Sequence, residues 1–218
     1  MAERVYARHW HAAKDAQAWR VLPEGAYAYF RTSSFKESVA FVGAIGALVG
    51  ANDAPYIDIR DDGVTVLMRA FRAEYGLFQA DFELARAISA KAAEMGLTAE
   101  PSGIQSLSMI PGATKRGQIM PFWQAVLAYQ PRPDSPDEDL VDPRGRGPGI
   151  WFEQVESLNE MRPRMHFGVW VPIGDAEARV EATIAAGGRV IYERAPSWWT
   201  LADPEGNEAD IATVENRG

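Results

Sequence analysis

Apolar and polar residues alternate from Ala26 to Thr32 with the period of two that a half-buried strand needs. Ser34-Phe-Lys-Glu37 follows with the Ser-x-x-Glu spacing of a capping box. The spacing predicts a helix over 35–49, with Val39, Val42, Ile45 and Val49 as one buried stripe. Two β-rich runs, Tyr56 to Arg60 and Val64 to Phe71, flank Asp61-Asp62-Gly63, and an Asp-Gly between such runs predicts a tight hairpin. A second helix takes Asp81 as its cap, turns Leu84, Ile88 and Met95 inward and ends at Gly96, a residue suited to a left-handed stop. This order implies a small antiparallel sheet covered on one face by two helices.

Beyond it, Leu97-Thr-Ala-Glu-Pro-Ser-Gly103 has the punctuation of a linker, which sets two domains at residues 1–100 and 104–218. The second domain starts with a strand over 104–110, a short helix over 121–129 with Pro121 in its first turn, and strands over 138–141 and 149–155. The pattern then restarts: strand 164–171, helix 176–186 stopped by Gly187, strand 189–193, and a closing pair at 199–201 and 208–214 around the turn Asp203-Pro-Glu-Gly206. The fold class is therefore α+β, with one βαβββ pattern used twice in the second domain, inferred from element order alone.

A length of 218 residues suits two small domains, and 47% hydrophobic against 24% charged residues is the mixture of a chain that buries a core. Net charge is −8, the acidic excess falls mostly in the second half, and no basic stripe offsets it, so nucleic acid is not an expected partner. Neither a secretory leader nor an apolar stretch of ~20 residues is apparent, so no membrane is expected and the chain reads as cytoplasmic. With no cysteine, thiol nucleophiles, disulfides and thiolate metal sites are excluded. The three histidines are His9, His11 and His166.

Candidate chemistry gathers in the second domain. In Arg164-Met-His-Phe-Gly-Val-Trp-Val171, alternation puts Met165, Phe167, Val169 and Val171 on a core face and His166, Gly168 and Trp170 on a face suited to a pocket wall. Glu153, set among aromatics, and Asp210, alternating with Ala209 and Ile211, would reach the same cavity. One imidazole and two carboxylates suit Fe(II), Mn(II), Ni(II) or Zn(II). In the alternative reading Glu153 pairs with Arg144 or Arg146 and Asp210 is solvated. Those two arginines would otherwise meet an anionic substrate at the cavity mouth, and Trp198-Trp199 would line a pocket or cover the core. The loop 139–149 lacks the glycine spacing and Lys-Ser/Thr ending of a phosphate-binding loop.

Two resemblances follow from these residues. From about Asp15 to Gly96 the chain resembles bacterial pterin-4a-carbinolamine dehydratases, through Ala18-Trp-Arg-Val-Leu22, Phe30-Arg-Thr-Ser-Ser-Phe35, Ile57-Asp-Ile-Arg60, Tyr75-Gly-Leu77 and Asp81-Phe-Glu-Leu-Ala-Arg86. The family's His-His-Pro motif, later histidine and aspartate correspond to Asp53-Ala54-Pro55, Phe71 and Asp81, so the resemblance implies a retained fold and a lost imidazole mechanism. From about Ile104 to Val214 the chain resembles the vicinal-oxygen-chelate superfamily of glyoxalases, extradiol dioxygenases and bleomycin-resistance proteins. Pro121-Phe-Trp-Gln124, Asp142-Pro-Arg-Gly145, Gly149-Ile-Trp-Phe152, Ala185-Ala-Gly-Gly188 and Trp198-Trp-Thr-Leu-Ala-Asp-Pro-Glu-Gly206 carry it. That resemblance implies paired βαβββ modules curled around a cavity, with metal ligands drawn from the first and last strands of each module. His166, Glu153 and Asp210 match three such positions, and Ser106 or Ser108 stands where the remaining one is expected.

The expectation is a glyoxalase-like protein holding a small organic molecule in its second domain. As a lyase, isomerase or dioxygenase type it would use a divalent metal (Fe, Mn, Ni or Zn) on His166, Glu153 and Asp210, with Glu153 and Asp210 as the catalytic acids. As a non-catalytic sequestering protein it would hold the ligand with Trp151, Trp170, Trp198 and Trp199. A third reading keeps 4a-hydroxytetrahydrobiopterin dehydratase-related activity at Asp53 and Asp81. A homo-oligomer, such as a dimer paired through an open sheet edge, is also expected.

Overall fold

The computed structural model describes residues 3–50, 54–72, 74–156, 165–202 and 208–215. The chain divides into two compact units, residues 1–104 and 105–217. Among the described residues no helix is long and apolar enough to cross a membrane.

Unit 1 runs α1 (Ala7–Ala12), β1 (Trp19–Leu22), β2 (Gly25–Arg31), α2 (Phe35–Leu48), β3 (Tyr56–Ile59), β4 (Gly63–Arg69), α3 (Gln79–Glu94) and β5 (Thr98–Ala99). Its sheet is antiparallel, in the order β1-β2-β4-β3 with β5 also on β2. Alternation in β2 and β4 sends Ala26, Ala28, Phe30, Val64, Val66 and Met68 into one core with Trp10, Trp19, Phe41, Ile45 and Ile88. The Trp19 indole donates to Ser89 Oγ at 2.9 Å and to the Ala85 carbonyl, tying the first strand to α3. The hairpin closes as expected, with Arg60 N–H donating to Gly63 O.

Three details differ from the sequence expectation. The buried face of α2 is Ser38, Phe41 and Ile45; Val42 and Val49 flank it and Val39 is exposed, because the stripe is set by Phe41, the largest side chain on that helix's inner face. Ser34 accepts from Glu37 N–H, but Glu37 reaches back to Ser33 N–H and Oγ. Asp81 is the third residue of α3, where its carboxylate accepts from Phe78 N–H at 2.9 Å. Gly96 does take the left-handed conformation, at φ +73°.

Unit 2 contains β6 (Ser106–Ala113), α4 (Arg116–Leu127), β7 (Gln130–Arg132), β8 (Ser135–Val141), β9 (Gly149–Trp151) and β10 (Glu153–Gln154). It then repeats with β11 (Met165–Trp170), α5 (Ala176–Ala185), β12 (Arg189–Arg194), β13 (Trp198–Ala202) and β14 (Glu208–Ala212). All join one sheet in the order β12-β13-β14-β11-β6-β9-β8-β7, with β10 also on β6. In each repeat the first strand lies parallel to the last, and the first strands, β6 and β11, pair antiparallel at the centre. Helix α4 begins a turn earlier than expected, so Pro121 sits inside it on an exposed face where water can reach the carbonyl its missing N–H leaves free. The expected strand 149–155 is interrupted at Phe152, which is fully buried with Leu140 and Ile150. The expected start at Arg164 and the turn at 203–206 lie outside the described residues.

Candidate functional site

Alternation along β11 buries His166, Gly168 and Trp170 on one side, at 5% exposure for the imidazole and 8% for the indole. The other side differs from the expectation of a closed core: Val169 packs beneath α5, whereas Phe167 is 49% exposed because neither helix covers the centre of the sheet at that point. On the buried side lies a cavity of about 280 Å³ lined by Ile110, Trp151, Glu153, Gly168, Trp170, Tyr192, Trp198, Asp210 and Ala212.

Strand parity explains most of these positions. Trp198 faces Ala212 and Thr200 faces Asp210 across β13 and β14, so these four share the cavity side. Trp199 faces Ile211 and packs with Val171, Val180 and Leu201 under α5, so of the two adjacent indoles only Trp198 lines the cavity. Tyr192 stacks on Trp198 with ring centres 5.8 Å apart, and the Arg194 guanidinium lies 4.9 Å from the same ring. The Trp170 indole N–H donates to Ser108 Oγ at 3.1 Å, which fixes its ring against the floor.

His166 Nε2 and Asp210 Oδ2 are 3.2 Å apart, and Thr200 Oγ1 donates to Asp210 Oδ1 at 2.6 Å. The aspartate is thus engaged at both oxygens, by the imidazole on one side and the Thr200 hydroxyl on the other. Glu153 lines the same cavity from β10. A catalytic metal takes about three protein ligands. Among the described residues no three His, Asp or Glu side chains come within shared reach of one ion. The described donors by themselves thus form no three-ligand site for a Fe, Mn, Ni or Zn ion.

Strand registers also locate the position that would complete such a set. Asp210 pairs with Gly168, two residues beyond His166, and Glu153 pairs with Gly112, two residues beyond Ile110. Ile110 and His166 face each other directly across the central pair. The two-fold relation between repeats thus equates Ile110 with His166 and Glu153 with Asp210. Ile110, rather than Ser106 or Ser108, occupies the fourth position. The signal was present in the parallel tripeptides Ile110-Pro-Gly112 and His166-Phe-Gly168.

The two arginines do not line the cavity. Arg144 is exposed and its Nε donates to Asp142 Oδ1 at 2.8 Å; Arg146 is exposed in the same loop. Burial acts to raise the Asp142 pKa, but the Arg144 guanidinium and the backbone N–H groups of Arg144, Gly147 and Arg146 outweigh it and hold the carboxyl well below its ordinary range. A depressed folded-state pKa stabilises the fold above the unfolded value of about 3.9, and that contribution is lost as pH falls through the folded value. Asp142→Asn is expected to cost about 1 kcal/mol at pH 7, a modest figure because Arg144 is screened by water. Urea unfolding at pH 7 and pH 2.5 checks it: the difference from wild type should shrink at the lower pH.

In unit 1, Asp53 lies outside the described residues, Ala54 is exposed and Pro55 is half-buried. Phe71 stacks on Tyr75, and Asp81, 3% exposed, pairs with Arg72 at 2.6 Å while capping α3. Phe71 is thus a packing residue and Asp81 a helix cap with both oxygens engaged.

No curated protein matches the chain. Among solved structures, an NAD-dependent benzaldehyde dehydrogenase of Legionella pneumophila is 13% identical over 49% of this chain and 97% of its own, with a TM-score of 0.39. A glyoxalase/bleomycin resistance protein/dioxygenase superfamily member of Vibrio splendidus 12B01 is 15% identical over 50% and 99%, with a TM-score of 0.35. A fosfomycin resistance protein of Listeria monocytogenes, complexed with Mn(II) and sulfate, is 15% identical over 51% and 90%, with a TM-score of 0.22. Residues 109–212 match the family model described as a glyoxalase-like domain, and it is this second half of the chain that is glyoxalase-like.

Proposed function

We propose that the glyoxalase-like unit binds a small, flat organic molecule among Trp151, Trp170, Tyr192 and Trp198, without a resident metal ion. The cavity itself carries the reading. At about 280 Å³ it falls just below the roughly 300–1,000 Å³ of drug-sized pockets, which suits a ligand of one or two rings. Aromatic walls bind such a ligand through burial and ring stacking, and Glu153 and Asp210 would accept hydrogen bonds from a hydroxyl or amine at one end. The aromatic lining supports the sequestering role over the metal-dependent one.

2-Naphthol added to the whole chain should quench tryptophan fluorescence saturably, and Trp170→Ala should weaken that binding by about tenfold, the equivalent of 1.4 kcal/mol of lost aromatic contact. Quenching that rises without saturation would overturn the reading.

A second reading is favoured by the hydrogen-bonded pair His166–Asp210: the cavity also turns its ligand over by moving a proton. Asp210, on the cavity wall, would exchange the proton with the ligand while His166 and Thr200 orient it, and Glu153 would serve as the second acid. For unit 1 we infer a dehydratase-like scaffold, supported by its strand and helix order, in which Asp81 acts as a cap rather than as an acid.

A further inference from the structure

We infer that Ile110 is the residue that keeps this cavity free of metal, because it fills one corner of a four-position ligand square whose other three corners still carry donors. The inference rests on the metal-independent reading proposed above. Two relations carry it. First, the registers place Ile110, His166, Glu153 and Asp210 at equivalent positions of two repeats, with Ile110 directly opposite His166 at the two-fold axis. Second, each acid faces a glycine, Glu153 facing Gly112 and Asp210 facing Gly168, so no β-carbon intervenes between the acids and the axis on either side.

The isoleucine is 4% exposed and lines the cavity, and its Cδ1 would lie 2.9 Å from a β-carbon built at Gly168. The volume beside Gly168 is thus taken by a branched aliphatic chain that offers no lone pair. His166 Nε2 and Asp210 Oδ2 hydrogen-bond to each other, and Asp210 Oδ1 also accepts from Thr200. The adjoining His166 and Asp210 supply two donors, and one substitution at position 110 would bring a third beside them, the number a catalytic ion takes. The imidazole introduced by Ile110→His would face His166 across the central strand pair, and Nε2 of His166 would exchange Asp210 for an ion that both could ligate. Imidazole and carboxylate donors together suit Co(II), Ni(II) and Zn(II).

The test uses the whole chain carrying Ile110→His or Ile110→Glu, dialysed against Co(II) and Ni(II). Either variant should retain about one equivalent of metal per chain after gel filtration, with the Co(II) protein showing a visible d–d absorption band, and adding His166→Ala should remove it. Wild type should retain less than a tenth as much. Wild-type uptake equal to that of the variants would overturn the inference, and the metal-independent reading with it. Absence of uptake by both variants, when both unfold in urea with the cooperative transition of wild type and so are folded, would overturn the inference alone. If one variant fails to fold, the other decides.

Discussion

Replacing Gly168 with valine is expected to weaken 2-naphthol binding about ten- to a hundredfold while leaving the protein folded. Gly168 sits on the cavity side of β11 with an ordinary extended backbone, so a side chain there meets no conformational penalty. What it meets is Ile110. A β-carbon would stand 2.9 Å from Ile110 Cδ1, 3.7 Å from its Cγ1 and 3.8 Å from Ser108 Cβ. The close atom is the end of a flexible side chain, so a single methyl is accommodated by a small shift of the isoleucine. Valine adds two further methyls, and these must enter the cavity or drive Ile110 into it. Overpacking of this kind costs about 1–3 kcal/mol, and when the space lost is the ligand's own the cost falls on binding, as roughly ten- to a hundredfold in affinity. Gly168→Ala should lie between wild type and Gly168→Val. A fluorescence titration of the three proteins, with urea unfolding run alongside, checks the order. Unchanged affinity in Gly168→Val would place the ligand away from this wall.

Much of this arrangement was legible in the amino-acid order alone, because strand parity and turn chemistry are local. Alternation set His166, Gly168 and Trp170 on one side of β11 apart from Phe167 and Val169, and Asp61-Asp62-Gly63 fixed the hairpin of unit 1. The doubled element order predicted the paired βαβββ modules of unit 2. What failed was nonlocal. Phe167 looks like a core residue by parity, yet whether a sheet face is buried depends on which helix lies over it. Helical periodicity likewise named Val39 and missed Phe41, since three valines and an isoleucine at the right spacing do not reveal which side the sheet occupies. Two short strands, β1 and β5, escaped notice because both borrow their stability from the edge of β2 and have little alternation of their own. The fourth corner of the cavity was misplaced at Ser106 or Ser108 for the same reason: a ligand-type residue was sought by chemistry, whereas the position is defined by register. Register depends on how β6 pairs with β10 and β11, and that pairing is written in two places far apart in the chain.

The same dependence on parity separates two neighbouring tryptophans and makes the sharpest stability prediction. Trp199→Ala is expected to destabilise the protein by about 3–5 kcal/mol, the usual cost of emptying a large aromatic from a packed interior. Its ring is 5% exposed among Val171, Val180, Leu201 and Ile211, where helix α5 holds it against the sheet and no polar atom or water can occupy the vacated volume without loss. Trp198→Ala, one residue away, should cost about 1 kcal/mol, because its stack with Tyr192 and its contact with the Arg194 guanidinium lie at the wall of an open cavity rather than in the packed layer under α5. The ordering reverses for the ligand. Trp198 should weaken 2-naphthol binding about tenfold on truncation, whereas Trp199, whose side chain points to the opposite face of β13, should change affinity only as far as the unfolded fraction reduces the competent protein. Urea midpoints and fluorescence titrations on the two variants give four numbers that must cross in this way. Equal destabilisation by both would mean that the cavity wall is as tightly packed as the layer beneath α5, and the space assigned to the ligand would then be part of the core.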